Sequence, residues 1–498
     1  MEALLKKFPY RYMEYEKKLM KRELKTLFPF SYVEINNKET RVKNIAPDES
    51  NKLKGLTFYK EYEIDGTWHN TYQGAIEKDD TLRGNKQHTR YSTHGIHEYK
   101  GKFNPQIVHC MINLFGLNTE SVVLDPFNGS GTTTLECAHL GIKAKGMDIN
   151  PMACFIANAK IKALTINAEE SRKELARLVA DINEKGNSIK LEETDRTTYL
   201  KKWIPEGTLQ ILEYIRERAS QLEGPLSALI LTVASDLIRE YSYQEPSDLR
   251  IRRRKAPLPE TPYIEAFNNN MTRYIRKIEE AQACIHDFET SNSAIHCDVK
   301  HDNPFSEFKF DAALTSPPYV TALPYIDTQR ISLVWLGLCE AKEIGALEST
   351  LIGSRELLKK EKDSWTQKVQ NNEAELPDSM LSLVHEMKNS LADSDGFRRQ
   401  AVPELLYRYL SEMKDMFINV HSMLKDNAPY ALIVGHNKTT LGGKEFLIDT
   451  PALLAELARE CGWSVEEIIP LETYKRYGIN SKNAINEESM VILRKSPF

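Results

Sequence analysis

The stretch VVLDPFNGSGTTTLECAHLG, residues 122–141, decides the fold of this chain. It passes from apolar β-branched residues, typical of a buried strand, through a loop with Gly129 and Gly131 into a helical pattern. Glycines let the backbone turn sharply and come close to a ligand, and the N-terminus of a helix offers free N–H groups. A strand, a glycine loop and a helix in this order predict a ligand site at the edge of a parallel sheet.

The spacing of this loop excludes two common nucleotide sites. A dinucleotide fingerprint requires a third glycine where Thr134 stands, and a P-loop requires Gly-Lys followed by Ser or Thr. The next strand ends in GMDINP, which places Asp148 at its carboxyl tip, 17 residues after Gly131. A carboxylate at that tip accepts hydrogen bonds from the two hydroxyls of a ribose. The two elements together predict an adenosine ligand without a pyrophosphate, and a tight turn with an acidic helix cap is the alternative.

Seven short segments have the apolar, β-branched character of buried strands, and helical patterns lie between several of them. The predicted strands are 121–125, 143–148, 294–298, 310–315, 430–435, 464–470 and 489–495. The predicted helices are 104–116, 131–141, 150–164, 402–424 and 450–461. This alternation predicts an α/β fold with a doubly wound, mostly parallel sheet.

Two segments interrupt the alternation, and a third precedes it. The first 85 or so residues carry two stretches with the pattern of β-hairpins, FSYVEINNKETRV and GLTFYKEYEIDGTWHNTYQG. The predicted organisation is an appended N-terminal region, partly β, and an α/β domain in three parts that are separated by a helical insertion and a polar helical insertion. In chain order, these regions are 1–88 (appended), 89–165 (first part), 166–290 (helical insertion), 291–340 (second part), 341–400 (polar insertion) and 401–498 (last part).

Composition bounds the class of protein. The chain has 498 residues, a hydrophobic fraction of 41% and a net charge of −5, so a nucleic-acid surface would have to be a local patch. Its seven cysteines are scattered without C-x-x-C spacing, so neither a metal site nor a disulfide framework is predicted. The N-terminal residues lack the apolar core of a signal peptide, and no stretch reaches the ~18 apolar residues of a membrane span. We expect a reduced, soluble, cytoplasmic protein that does not contact a membrane.

A second motif stands at the tip of the fourth predicted strand, in FDAALTSPPYVTALPY, residues 310–325. The prolines fix φ and lack an N–H, so the loop is stiff. It can aim the Ser316 oxygen and the Pro317 carbonyl at one amino group, while Tyr319 provides a flat face for a planar ring. An exocyclic amine held in this way keeps its lone pair toward an electrophile. The alternative is a strand-ending turn with Tyr319 packed in the core.

DPFNGSGTT, GMDINP and TSPPY together resemble the motifs of the DNA amino-methyltransferases, which use S-adenosyl-L-methionine. The Ser-Pro-Pro-Tyr form is most similar to the cytosine-N4 branch, whereas adenine-N6 enzymes more often carry Asp or Asn in place of Ser. The resemblance covers about 89–165, 291–340 and 401–498. It implies a Rossmann-like methyltransferase sheet of seven strands, mostly parallel, with the last strand antiparallel.

The resemblance also implies a set of site residues. The catalytic loop would be Ser316, Pro317, Pro318 and Tyr319. The cofactor-binding residues would be Lys102, Phe103, Asp125, Phe127, Gly129, Gly131, Asp148, Ile149 and Asp298. In this set Asp148 would hold the ribose, Asp298 would face the adenine amino group, and Lys102 and Phe103 would border the methionine end.

The implied substrate is double-stranded DNA with the target base flipped out of the helix. The protein would be the modification half of a restriction–modification or related defence system, with a cognate restriction endonuclease as a candidate partner. Holding the duplex requires Lys and Arg contacts to phosphates. The candidate DNA-binding residues are Arg250, Arg252, Arg253, Arg254, Lys255, Arg330 and Arg355. Residues 166–290 are the predicted target-recognition region, and 341–400 and the N-terminal region are the alternatives.

Four other functions stay open at this point. An adenine-N6 DNA methyltransferase differs only in the target base, and an RNA base N-methyltransferase uses a similar glycine loop and proline-proline turn. A DNA-binding module without turnover would keep the fold but is disfavoured by the intact motifs. An oxidoreductase is disfavoured by the absent third glycine.

Overall fold

The computed structural model describes residues 1–36, 39–77, 87–185, 189–320, 324–355, 357, 359–472 and 487–496. Its centre is a seven-stranded sheet with helices on both faces, and a smaller sheet lies in the N-terminal region. Among the helices in these ranges, none combines the length and the apolar character that crossing a membrane requires.

The N-terminal region forms a five-stranded antiparallel sheet and one long helix. Its elements are β1 (Glu2–Lys7), α1 (Glu14–Leu27), β2 (Tyr32–Ile35), β3 (Thr40–Lys43), a 3-10 helix (Pro47–Gly55), β4 (Tyr59–Ile64), β5 (Thr67–Asn70) and α2 (Tyr72–Ile76). The strand order is β2-β3-β1-β4-β5, and the two hairpins predicted from sequence are β2-β3 and β4-β5. Strand β1 has no counterpart among the predicted strands, because only Ala3 and Leu5 in it are buried.

The first part of the central sheet alternates strand and helix. Its elements are α3 (Pro105–Leu114), β6 (Val122–Asp125), α4 (Thr132–His139), β7 (Lys143–Asp148) and α5 (Pro151–Ala163). Asn104 and Asn150 cap α3 and α5 by accepting hydrogen bonds from backbone N–H groups, and a proline occupies the first turn of each helix. These caps fix the residues at which α3 and α5 begin, and so fix the positions of the segments that precede them at the edge of the sheet.

The long insertion is helical, as predicted. Its helices are α6 (Ala168–Lys185), α7 (Asp195–Lys201), α8 (Glu206–Ser220), α9 (Pro225–Ile238) and α10 (Tyr263–Cys284). Their apolar faces form one core with Ile156 of α5 and with Trp335, which is fully buried. The insertion is therefore packed on the α/β domain through the helix that follows the tip of β7.

The chain then returns to the sheet and leaves it again. The elements are β8 (Ser293–His296), β9 (Ala312–Thr315), α11 (Arg330–Trp335), α12 (Ile344–Thr350), α13 (Lys359–Asn371) and α14 (Asp378–Asn389). The last part holds α15 (Val402–Met423), β10 (Pro429–Gly435), β11 (Asn437–Leu441), β12 (Lys444–Ile448), α16 (Thr450–Glu460), β13 (Trp463–Glu472) and β14 (Glu487–Lys495). The polar insertion is thus helical, and β11-β12 is a hairpin outside the central sheet.

The central sheet has the strand order β13-β14-β10-β9-β6-β7-β8. Its pairs are parallel except for those of β14, which runs antiparallel to both β10 and β13. The seven predicted strands all occur, with bounds within two residues of those expected. The α/β fold class, the doubly wound and mostly parallel sheet, and the reversed last strand are confirmed.

Successive residues of the central strands face two different cores, as the period of two requires. Leu124 and Leu432 pack against α15 and α16 on one face. Val123 and Ile433 face the other side, where they join Leu24 of α1 and Met111 of α3. The N-terminal region therefore shares its core with the central sheet.

Candidate active site

A cavity of about 780 Å³, counted with its open mouth, lies at the carboxyl ends of the parallel strands. Phe127 and Gly129 line it from the loop after β6, and Ser316 and Pro318 line it from the loop after β9. Strands β6 and β9 are hydrogen-bonded neighbours, so their tips bring the two motifs together. The other lining residues used below are Tyr99, Lys102, Phe103, Asp148, Ile149, Cys297, Asp298, Tyr325 and Leu351.

Glycines seat the first loop on its neighbours. A Cβ at Gly131, where φ is +83°, would lie 2.8 Å from the Cβ of Ala157 in α5. A Cβ at Gly146 in β7 would overlap the side chain of Asn128. Gly131 does not line the cavity, so its glycine serves the close approach of loop and helix, whereas Gly129 is the glycine that faces the ligand space.

Asp148 stands at the tip of β7 and lines the cavity. Its two carboxylate oxygens accept hydrogen bonds from the backbone N–H groups of Gly129 and Asn150, each at 2.8 Å. Burial raises the pKa of Asp148 to about 6, although these two hydrogen bonds oppose the rise. Each oxygen keeps a second acceptor position, which suits the adjacent hydroxyls of a ribose.

Asp125, expected at the cofactor, lies behind the loop instead of in the cavity wall. Its Oδ1 accepts hydrogen bonds from Thr315 Oγ1 at 2.5 Å and from the N–H of Phe127 at 3.1 Å. Burial raises the pKa of this carboxyl to about 7. Asp125 therefore couples the tips of β6 and β9, and it holds both motifs from beneath.

Two lysines, one half-buried and one fully buried, hold the backbone around the cavity. Lys102 lines it and donates a hydrogen bond from Nζ to the carbonyl of His94 at 2.9 Å. Burial, with Arg90 nearby, lowers the pKa of Lys102 to about 7. Lys160 in α5 is fully buried and donates to the carbonyl of Ser130 at 2.9 Å, and burial holds its pKa well below the usual value. Lys102 thus offers a cation to the cavity, while Lys160 fixes the glycine loop.

Asp298, in the turn that follows β8, lines the cavity beside Cys297 and Ile149. Its Oδ1 accepts a hydrogen bond from the N–H of Lys300 at 3.0 Å, and the Lys300 ammonium lies 3.5 Å from Oδ2. The carboxylate is therefore oriented by its own turn and presents its remaining acceptor positions to the ligand space. Phe103 and Phe127 add aromatic surface to the same wall.

Ser316 has its hydroxyl hydrogen committed to the protein. The Oγ donates a hydrogen bond to the carbonyl of Ile433 in β10 at 2.9 Å. Because that hydrogen points away, the lone pairs of Oγ remain to accept an N–H from a ligand. The carbonyl of Pro318 accepts a hydrogen bond from the Tyr409 hydroxyl at 3.1 Å, which further fixes the loop.

Tyr319 and Pro317 do not line the cavity. The Tyr319 hydroxyl donates to Glu488 Oε1 at 2.9 Å, and its ring lies against Gly435, where a Cβ would come within 2.9 Å of Cε2. Tyr319 thus clamps the loop to β10 and β14, as the packing alternative anticipates. Within the stretch 310–325, the aromatic ring that lines the cavity is that of Tyr325.

Tyr99, Tyr325 and Leu351 are among the lining residues that were not predicted from the sequence. Tyr325 ends the same FDAALTSPPYVTALPY stretch, so the second Pro-Tyr pair was the available signal. Leu351 sits in the LIGSRE stretch, whose Gly353 packs on the catalytic loop so closely that a Cβ would lie 2.7 Å from the carbonyl oxygen of Tyr319. Arg355 of this stretch was predicted from the sequence as a DNA contact, whereas Leu351 was not predicted.

The five cations of SDLRIRRRKAP have different environments. Arg252 pairs with Asp248 at 3.0 Å, and Arg253 stacks on Trp203 with its Cζ 4.6 Å from the ring centre. Arg254 donates to backbone carbonyls, among them Pro257 at 2.8 Å, and Lys255 is exposed. These contacts brace the loop, whereas Arg250 lines a second cavity.

That second cavity adjoins the first, because Tyr325 and Leu351 line both. It is also lined by Arg250, Arg355 and Arg398. Arg330 does not line it, but its guanidinium lies 2.6 Å from Asp327 and 3.7 Å from Glu348, which do.

One group of described residues has the composition of a metal site. His94, Glu136 and His139 are buried with their ligand atoms within 4.8 Å of one another. Glu136 Oε1 already accepts hydrogen bonds from Tyr91 at 2.7 Å and His94 at 2.5 Å. Burial opposes it, but the two histidines hold the pKa of Glu136 well below its usual range, and burial lowers the pKa of His94 to about 3. A carboxylate that gathers three donors is a hydrogen-bonded support for the segment before α3.

The chain matches the family model described as DNA methylase over residues 6–159. Type II methyltransferase M.BsoBI of Geobacillus stearothermophilus is 24% identical over 489 residues, covering 88% of this chain and 94% of that protein. Type II methyltransferase M.MjaII of Methanocaldococcus jannaschii is 42% identical over 85 residues, covering 17% of this chain and 16% of that protein. The crystal structure of TrmN from Thermus thermophilus is similar with a TM-score of 0.33 and 11% identity, covering 99% of both chains.

The family model and the curated relatives agree with the DNA amino-methyltransferases that the motifs resemble, whose cofactor is S-adenosyl-L-methionine. The cavity residues fit that group. Asp148 suits its ribose, the Lys102 ammonium suits its carboxylate, and the aromatic side chain of Phe127 suits its adenine ring.

Proposed function

We propose that this protein is a site-specific DNA methyltransferase that methylates the N4 amino group of a cytosine flipped out of the duplex. Its activity would be the modification half of a restriction–modification system, with a cognate endonuclease as partner. The observation that carries the proposal is the single cavity lined by Gly129 and Asp148 on one side and by Ser316 on the other. The relatives, named as type II methyltransferases, support DNA as the substrate.

The protein contributes to the reaction by positioning the target amine relative to the methyl donor. S-adenosyl-L-methionine supplies an electrophilic methyl group when bound. The lone pairs of Ser316 Oγ accept one N–H of the target amine, since the hydroxyl hydrogen is used on Ile433. This contact orients the nitrogen lone pair toward the donor and stabilises the positive charge that develops on nitrogen. Tyr325 provides the face on which the flipped ring stacks.

Serine in the first position of the catalytic loop favours cytosine over adenine, by resemblance to the cytosine-N4 branch. The test incubates the protein with duplex DNA and the cofactor carrying a labelled methyl group, then separates the nucleosides by mass spectrometry. We expect the label on N4-methylcytosine. Label on N6-methyladenine would assign the adenine branch, and label in RNA but not in DNA would assign an RNA enzyme.

The roles of the remaining residues are part of the proposal. Asp148 holds the ribose, Asp298 with Ile149 holds the adenine, and Lys102 with Phe103 borders the methionine end. Asp125 and Gly131 act indirectly, by fixing the loop that carries Phe127 and Gly129. The proposed target-recognition region is 166–290, which contributes Arg250 to the rim of the site.

A further inference from the structure

We propose that the second cavity, lined by Arg250, Arg355 and Arg398, binds the backbone phosphate of the flipped nucleotide. This inference rests on the proposed function and deepens it, because it assigns the place where the target nucleotide is held outside the reaction site. Arg398 is a residue that no sequence motif indicates.

The three arginines come from three separate segments. Arg250 lies in the loop between α9 and α10, Arg355 follows α12, and Arg398 lies between α14 and α15. The helical insertion and two separate parts of the polar insertion therefore converge on one cavity of about 540 Å³, counted with its mouth. Such convergence of one charge type is unfavourable unless an anion compensates it.

The carboxylates in this cavity are occupied elsewhere. Asp327 and Glu348 both lie within 4.0 Å of Arg330, which sits behind them. Among the described residues, no carboxylate oxygen lies within that distance of the guanidinium groups of Arg250 or Arg398. These two positive charges at the cavity therefore have no acidic partner within the described ranges.

The charges around Arg355 favour the binding of an anion. Burial and the neighbouring guanidinium groups of Arg250 and Arg398 lower the pKa of Arg355. A guanidinium fork matches phosphate oxygens with two parallel hydrogen bonds, which is why arginine is favoured where phosphate is recognised.

The position identifies which phosphate is bound. Tyr325 and Leu351 form the wall between the arginine cavity and the candidate active site. A base and its phosphate are joined through one sugar, so a nucleotide whose base enters the first cavity leaves its phosphate next to that wall. One cavity is lined by aromatic residues and suits the base, and the adjoining cavity is lined by arginines and suits the phosphate of the same nucleotide.

The experiment uses duplexes with a single methylphosphonate, which removes the charge of one phosphate, once the methylated site has been located. The wild type and Arg250→Gln/Arg398→Gln are compared with Arg172→Gln, an exposed arginine paired with Glu279 far along the chain. In the wild type we expect a neutral linkage at the target nucleotide to raise KM for DNA about tenfold. The double variant should show that increase with normal DNA and no further increase with the methylphosphonate. For the double variant, the slope of log K for DNA binding against the logarithm of the salt concentration should be smaller in magnitude by about 1.

Three outcomes separate the claims. The methylphosphonate could raise KM for DNA as much in the double variant as in the wild type, or by the same factor at every position of the duplex. Either result would overturn the proposal that the arginine cavity binds the target phosphate, and would leave the proposed DNA methylation intact. A wild type that methylates no DNA would overturn the proposed function and this inference with it. Unchanged thermal unfolding and cofactor affinity in the double variant show that it is folded, and Arg398→Lys should restore part of the affinity because it returns the charge.

Discussion

At the scale of single residues, two ionisable groups of the cavity have pKa values that burial has moved away from the usual ones. Asp148 and Lys102 line the same cavity, with pKa values of about 6 and about 7. Each group must be charged to bind the cofactor, one as acceptor of ribose hydroxyls and the other as partner of a carboxylate. Their ionised forms coexist only in a narrow interval of pH.

Affinity for S-adenosyl-L-methionine should therefore be greatest between pH 6 and 7. It falls as the pH drops through the pKa of Asp148, because the carboxyl becomes protonated, and it falls as the pH rises through the pKa of Lys102, because the ammonium is lost. Calorimetric titration across both limbs measures this. Asp148→Asn should flatten the acidic limb and Lys102→Met the alkaline limb. A profile that is level in the wild type would contradict these assignments.

Residue roles were predicted unevenly from the sequence. The stretches that carry Ser316 and Asp148 identified cavity residues, because each motif sits at the tip of its own strand. The orientation of Tyr319 was not predictable, since it is set by Gly435 and Glu488, which are distant in sequence. The contacts of Arg254 with backbone carbonyls of its own loop were not predictable either, because a run of basic residues does not show which of them bind the protein itself.

At the scale of elements, the glycine loop works because β7 leaves room for it. The N–H of Asn128 donates to the carbonyl of Met147 at 2.9 Å, and the Asn128 side chain occupies the space above Gly146. The loop is thus seated on the second strand as well as on α5. Its shape depends on two glycines that do not face the ligand.

Gly146→Ala should displace the loop and weaken the cofactor site. The added methyl overlaps Asn128, so we expect a loss of ~1–3 kcal/mol in the free energy of unfolding. The affinity for S-adenosyl-L-methionine should fall about tenfold or more, which corresponds to about 1.4 kcal/mol. Urea unfolding and calorimetry measure the two effects. Gly345→Ala, in α12 where the methyl meets no atom within 4 Å, is the matched control. Equal behaviour of the two variants would refute this view of the loop.

Strands and helices of the central sheet were predictable because each carries its own signal. Apolar β-branched runs mark the strands, and Asn-Pro pairs mark the starts of α3 and α5. The neighbours of each strand in the sheet are not encoded locally, so the strand order was not predicted, and the reversal of the last strand came from the resemblance. Strand β1 escaped detection because its two buried residues give too short an alternation.

At the scale of the whole molecule, the N-terminal region and the central sheet share one hydrophobic core. Leu24 of α1 is fully buried in the cluster that contains Val123 of β6 and Ile433 of β10. Arg22 of α1 also lies 2.6 Å from Glu467 of β13. The predicted boundary at residue 88 between an appended region and the α/β domain remains a proposal.

Leu24→Ala should accordingly destabilise the cofactor site. We expect a loss of ~2–5 kcal/mol, the usual cost of removing a buried leucine. Urea unfolding followed by cofactor binding and by circular dichroism should give coincident transitions that shift together. Lys18→Ala, an exposed change on the same helix, should leave the midpoint unchanged. A variant that loses N-terminal structure at low urea while it keeps the cofactor would contradict a shared core.

The central claim is that one cavity holds the methyl donor on its glycine-loop side and orients the target amine on its Ser316 side. Single-turnover kinetics of Ser316→Ala, with cofactor affinity measured on the same preparation, test this most directly. The account predicts a methyl-transfer rate lower by about 100-fold or more, since an acceptor used in the transition state is lost, and an affinity for S-adenosyl-L-methionine within about threefold of the wild type. A transfer rate that stays at the wild-type value would contradict it.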